Sequence, residues 1–141
     1  ELAHLIHTAR RVNDAKPEWV INKVKIAIAD FLQENLDKTA KDITIACYGL
    51  AFKADIDDLR ESPALDIAQK ITNLHSGRVV VVEPNIDRIP ESLIQAKLVD
   101  FNVAESVADI QLLLVNHREF TKMRPLEGVI IDTKGIWEAV C

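Results

Sequence analysis

The residues best equipped for chemistry sit in one charged stretch, Gly49-Leu50-Ala51-Phe52-Lys53-Ala54-Asp55-Ile56-Asp57-Asp58-Leu59-Arg60-Glu61-Ser62-Pro63. It follows a short apolar run, Ile43 to Tyr48, and leads into a helix that Ser62 and Pro63 suit, serine as N-cap and proline at the first helical position. Strand-to-helix connections usually take about 2–6 residues, so this one is long. Its cations are Lys53 and Arg60. Delivered to a helix N-terminus, where free N–H groups point outward, they would suit an anion such as a phosphate. A solvated loop whose acids pair with Lys53 and Arg60 would have the same composition, and the residues alone leave both readings open.

Other apolar runs end in segments of the same kind. Asn116-His117-Arg118-Glu119-Phe120 follows the run Ile110 to Val115. Asn116 is expected to cap the next helix, and no catalytic role is expected of His117. Asp132-Thr133-Lys134-Gly135 follows Val129 to Ile131, where Lys134 could meet an anion at the rim it shares with Lys53 or simply stand exposed. Glu83 closes the run Val79 to Val82, the place of a ribose-binding acid in a dinucleotide fold. The sequence has no G-x-G-x-x-G, so a plain strand-end turn is the better expectation there. P-loop and G-x-S-x-G patterns are missing too. Neither Cys47 nor Cys141 has the partners of an activated nucleophile, and neither shares metal-ligand spacing with the four histidines. His4 and His7, three apart, are expected on a solvated or packed helix face. No catalytic or metal-binding residue is therefore expected in this chain.

The elements that must position these segments are legible in the periodicity. Helical spacing predicts a helix over residues 1–13 and a second from Pro17 to about Leu32, whose apolar stripe needs burial on its own domain or on a partner. Strands are predicted at 43–48, 79–82, 98–99, 110–115 and 129–131, with helices after Ser62, at 103–108 and at 117–122; Gly77 marks the expected stop of the helix opened by Pro63. Strands too apolar to alternate, separated by helices, indicate a parallel sheet covered on both faces. The fold class is thus α/β, a Rossmann-like parallel sheet with helices on both faces, preceded by a long helical arm. The domain reading is residues 1–36 as the end of a helical linker and 37–141 as the Rossmann-like domain.

Totals narrow the function. The chain of 141 residues is 48% apolar and 28% charged with a formal net charge of -5 and mixed signs, which argues against a general nucleic-acid or membrane-surface binder. No stretch has the length of a membrane span, and two cysteines make no disulfide framework, so a cytoplasmic protein with reduced thiols is expected. The absence of an initiator methionine and the direct entry into a helix suggest a fragment.

The run Gly49-Leu50-Ala51-Phe52-Lys53, then Asp57-Asp58-Leu59-Arg60-Glu61-Ser62-Pro63-Ala64, closely resembles the signature of the UDP-glucose/GDP-mannose dehydrogenase family, in its C-terminal UDP-binding domain. Glu83-Pro84, the segment Asn116 to Phe120 and Asp132-Thr133-Lys134-Gly135 follow in the family's order, and Arg11, Asn13-Asp14 and Pro17 resemble the end of its central helical region. The resemblance implies a nucleotide-sugar-binding domain of an enzyme that oxidises a sugar C6 alcohol to the carboxylate in two NAD-dependent steps, through a thiohemiacetal on a cysteine. Within the family, Ile45-Ala46-Cys47-Tyr48, Asp57 to Ala64 and Asp132 to Trp137 most resemble members that act on UDP-N-acetylmannosamine, which implies that sugar and a product for surface-polysaccharide synthesis. UDP-glucose, UDP-N-acetylglucosamine and GDP-mannose stay open, as does a non-catalytic nucleotide-binding or interaction module. By the same resemblance Lys53 contacts the diphosphate, Phe52 gives a backbone or stacking contact, and Lys134 stands where many relatives carry an arginine. Arg60 reaches towards NAD. The NAD fingerprint and the nucleophilic cysteine belong to a preceding half, the implied partner, so the fragment is expected to be inactive alone; a homodimer through the central helix is also implied.

Overall fold

In the computed structural model the described residues are 17–137. The expected helix over residues 1–13, His4, His7 and Cys141 lie outside them.

Helix α1 (Pro17–Glu34) opens on proline, whose missing N–H costs nothing in a first turn. It buries Val20, Ile21, Val24 and Ala27 against its own domain, alongside the second helix, with Ile28, Phe31 and Leu32 half-buried beside them. Ile26 and Leu36 face outward. The five strands are β1 (Ile45–Tyr48), β2 (Val79–Val82), β3 (Lys97–Leu98), β4 (Ile110–Leu113) and β5 (Val129–Asp132). All pair in parallel, in the order β3-β2-β1-β4-β5. Ile45 is level with Val79 on one side and Ile110 on the other.

Every residue of β1, β2 and β4 is buried, as expected for a sheet covered on both faces. Ile45, Cys47, Val79, Val81, Ile110 and Leu112 pack towards α1 and α2 (Pro63–Leu74). Ala46, Tyr48, Val80, Val82 and Leu113 pack the other way, towards α3 (Phe101–Val107), α4 (Arg118–Lys122) and Trp137. Tyr48 stands edge-on to both Phe120 and Trp137 there. Gln111 is the polar exception within β4; its carbonyl accepts from the Tyr48 hydroxyl and its amide reaches the carbonyls of Ala108 and Glu127. Burial without those partners would cost a few kcal/mol.

Caps explain where two helices start. Ser62 Oγ accepts from Leu65 N–H at 3.2 Å, as the sequence suggests. Asp100 accepts from Val103 N–H at 2.9 Å and starts α3 two residues ahead of the expected position. Two expectations need correction. Gly77 does not stop α2 through left-handed backbone: the helix ends at Leu74 with His75 as its C-cap. Glycine is needed at 77 because a Cβ there would stand 2.4 Å from the carbonyl oxygen of Ile43. Nor does Asn116 cap α4; it is exposed, and His117 occupies the cap position without a side-chain cap bond.

Candidate functional site

The chain builds outward from β1 to β2 and β3, then crosses back to lay β4 on the other side of β1. Loops leaving β1 and β4 therefore diverge and open a crevice beyond their carboxyl ends, the place where open α/β sheets take ligands. Gly49 starts the β1 loop with a φ of 101°, and the close approach of Val115 leaves no room for a side chain. Leu50 and Ala51 are then fully buried, whereas Phe52 is half exposed and Lys53 exposed. Phe52 N–H donates to Asp58 O at 2.8 Å and folds the loop tip back on itself. Ser62 Oγ donates to Leu50 O at 2.7 Å, so the residue that starts α2 also ties the loop's end to its beginning.

A pocket of about 300 Å³ lies in the crevice, lined by Phe52, Pro63, Ala64, Leu114, Thr133 and Lys134 among others. It brings together the β1 loop, the N-terminus of α2 and the end of β5. Lys134 is held there by its neighbour: the Asp132 carboxylate accepts from the N–H groups of Lys134 at 2.9 Å, Gly135 at 2.7 Å and Trp137 at 2.6 Å. A second pocket of about 270 Å³, lined by Phe52, Asp58, Arg60 and Glu61, adjoins the first through Phe52. Arg60 forks onto Asp58 with its Nε and Nη2, each 3.1 Å from a carboxylate oxygen. That hydrogen bond holds the Asp58 carboxyl below its usual range. Phe52 and Lys134 thus share one pocket, and Phe52 and Arg60 share the other. Lys53 is exposed on the same loop and lines neither.

Glu83 is not a ribose ligand. Its side chain is closed to solvent, and both oxygens are taken by the protein. Oε1 accepts from Leu50 N–H at 2.8 Å, Ala51 N–H at 3.1 Å and His117 Nε2 at 2.9 Å. Oε2 accepts from Asn85 through its N–H and its amide. Burial alone would raise the carboxyl's pKa; the hydrogen bonds from His117, Leu50 and Asn85 outweigh it, and the pKa is lowered. Sequence reasoning missed this hub and the fully buried His117, because nothing local to either residue marks them as partners.

A larger cavity of about 350 Å³ opens near the ends of β2 and β3, but the charged side chains other than the closed-off Glu83 that line it, Asp100 and Glu119, are acids. It does not suit a phosphate. Cys47 packs in the core, and burial pushes its thiol up to about 12, which leaves it protonated and inert as a nucleophile. Among the described residues no group of three His, Cys, Asp or Glu side chains could hold a metal ion, and no helix is long and apolar enough to cross a membrane.

Comparison with known proteins gives the family and agrees with the fold. A sequence model described as the UDP-glucose/GDP-mannose dehydrogenase family, UDP binding domain, matches residues 46–139. The chain is 50% identical over 141 residues to a UDP-N-acetyl-D-mannosamine dehydrogenase of Yersinia pestis, covering 97% of this chain and 33% of the relative. It is 47% identical over 142 residues to an NDP-N-acetyl-D-galactosaminuronic acid dehydrogenase of Ralstonia solanacearum, covering 99% of this chain and 31% of that protein. Among solved structures, the UDP-N-acetyl-mannosamine dehydrogenase of S. aureus superposes with a TM-score of 0.64 at 26% identity, over 96% of this chain and 30% of that one. The chain spans about a third of the length of the curated relatives it matches.

Proposed function

The chain belongs to the UDP-glucose/GDP-mannose dehydrogenase family through its UDP-binding domain, and on that premise we propose that it is the nucleotide-sugar-binding third of an NAD-dependent UDP-sugar 6-dehydrogenase. The observation that carries the reading is the pocket of about 300 Å³ that Phe52 and Lys134 line together with Pro63 and Ala64 of the α2 N-terminus. An aromatic ring, a cation and the N–H of Ala64, the one first-turn N–H that Pro63 and the Ser62 cap leave over, suit a base and a diphosphate. Lys134 supplies positive charge for the diphosphate from within the pocket, Lys53 from the exposed loop outside it, and Phe52 a stacking or backbone contact. Lysine at 134 gives a point charge without the two-pronged fork of arginine.

Arg60 belongs to the NAD side. Its guanidinium is largely exposed on the second pocket and oriented by Asp58, so it can meet an anionic cofactor without rearranging the loop. Arg60 would help hold NAD, which would supply the hydride acceptor for the two oxidations at the sugar's C6 carbon. The rest of the protein supplies the NAD fingerprint and the cysteine nucleophile, so this chain alone binds but does not oxidise. Residues 1–36 are proposed as the end of the helical linker, with α1 also meeting a second copy of the protein, and 37–141 as the binding domain. We place the protein in the cytoplasm, where its nucleotide substrates are found.

UDP-N-acetyl-D-mannosamine is the substrate proposed first, oxidised to the uronate for surface polysaccharide, in keeping with the Yersinia relative at 50% identity. A galacto-configured N-acetyl sugar is the second reading, favoured by the Ralstonia relative at 47%. The test is NMR titration of this chain with UDP-N-acetylmannosamine, UDP and GDP. Saturable shifts at Phe52, Ala64 and Lys134, larger for UDP than GDP, are expected. Shifts confined to the acidic cavity beyond β2 and β3 would overturn the assignment.

A further inference from the structure

We infer that His117 is a positioning residue for the nucleotide loop: with Glu83 it clamps the loop on both sides of Phe52 and Lys53 without touching the ligand itself. One clamp is Glu83 Oε1, which holds the N–H groups of Leu50 and Ala51 immediately before Phe52. The other is His117 Nδ1, which accepts from Asp55 N–H at 2.8 Å, two residues after Lys53. The imidazole joins the two, since its Nε2 lies 2.9 Å from the same Glu83 oxygen. Three residues, Phe52 to Ala54, therefore span the gap between fixed points.

The hydrogen-bond pattern settles the state of the ring. A nitrogen that accepts from a backbone N–H carries no proton, so the proton sits on Nε2 and is donated to the carboxylate. Asn85 Nδ2 also approaches Nδ1, at 3.4 Å. Asp55 is further fixed by its own carboxylate, whose Oδ1 accepts from Arg118 N–H at 2.8 Å. Its φ of 63° is a left-handed conformation, which aspartate adopts more readily than most side chains and which the two bonds to residues 117 and 118 hold here. The clamp thus pays in advance for ordering a loop that would otherwise lose its freedom when a ligand arrives.

This inference gives a residue and a means to the nucleotide site proposed above, and its affinity arm rests on that reading. Two substitutions separate the two bonds. In His117→Gln the side-chain amide nitrogen takes the place of Nε2 and keeps the bond to Glu83, but nothing accepts from Asp55. In His117→Asn the carbonyl oxygen takes the place of Nδ1 and keeps Asp55 held. UDP titrations of the chain and its two variants are compared, with amide hydrogen exchange at Leu50, Ala51 and Asp55 and in β1 and β4.

We expect His117→Gln to raise the Kd for UDP about tenfold, the worth of roughly one hydrogen bond, and to lose exchange protection at Asp55 with β1 and β4 unchanged. His117→Asn should recover most of that affinity. Undiminished UDP affinity in a His117→Gln chain that has lost protection at Asp55 overturns the inference. If the parent chain shows no UDP binding, the nucleotide reading fails but the clamp is still decided by exchange: loss at Asp55 in His117→Gln alone supports it, and equal protection in all three chains overturns it.

Discussion

A Cβ built on Gly49 would stand 2.6 Å from the Cβ of Val115 and 2.9 Å from its backbone nitrogen. The two residues lie at the ends of neighbouring strands β1 and β4, and their contact sets how closely the two rim loops depart. Gly49 also has a left-handed φ of 101°. Gly49→Ala should therefore lose about 2–5 kcal/mol, from backbone strain and overpacking together. Urea unfolding measures it; a loss below 1 kcal/mol would mean that β1 and β4 can separate more easily than their register implies.

Glu83→Gln tests the buried hub. Because the folded pKa of Glu83 lies below its ordinary value of 4.5, its contribution is present above that value and disappears as pH falls through the lowered one. At pH 7 the variant should be less stable by about 1.5–3 kcal/mol, the worth of a charged hydrogen bond. The two proteins should converge in stability as the pH is lowered through the carboxylate range. Parallel stability curves from neutral to acid pH would remove Glu83 as the source.

Lysines 134 and 53 are expected to behave differently. Lys134 lines the pocket and Lys53 does not. In this chain, Lys134→Ala should weaken UDP binding by about 1.5–3 kcal/mol, with Lys134→Arg retaining it, while Lys53→Ala has the smaller effect. In the full-length enzyme Lys53→Ala should also lower kcat/KM, since a second half can press the loop onto the ligand. Calorimetry on the chain and kinetics on the whole enzyme distinguish the cases.

Arg60→Ala should leave the thermal midpoint of this chain unchanged, because Arg60 and Asp58 form an exposed pair on a loop tip. In the full-length enzyme the same substitution should raise the KM for NAD, with little change in UDP-sugar binding to the free enzyme. A changed UDP affinity together with an unchanged NAD response would move Arg60 to the substrate side.

The parts of this fold that depend on neighbours in sequence were legible before the structure. Short apolar runs mark β1, β2 and β4, and Ser62-Pro63 marks the start of α2. The rim carrying Phe52, Arg60 and Lys134 follows from where those runs end. What was not legible depends on pairs far apart in the chain. Glu83 looks like a turn residue until Leu50, Ala51 and His117 arrive around it from two other strands. Asn116 has the chemistry of a cap, yet the acceptor at the start of α4 is Asp55. Gly77 reads as a helix stop but answers to a carbonyl on Ile43. Side-chain type predicts local bonds; it carries no address for a distant partner.

The cap on α4 also bears on the order in which the chain assembles. Asp55 reaches Arg118 N–H across 63 residues of sequence, so this five-residue helix gains that cap only once the ends of β1 and β4 are side by side. Isolated helices this short do not persist in water. We expect α4 to form late, so that Asp55→Ala should speed unfolding while leaving the refolding rate nearly untouched. On that expectation the element closed last in folding would be the first to open.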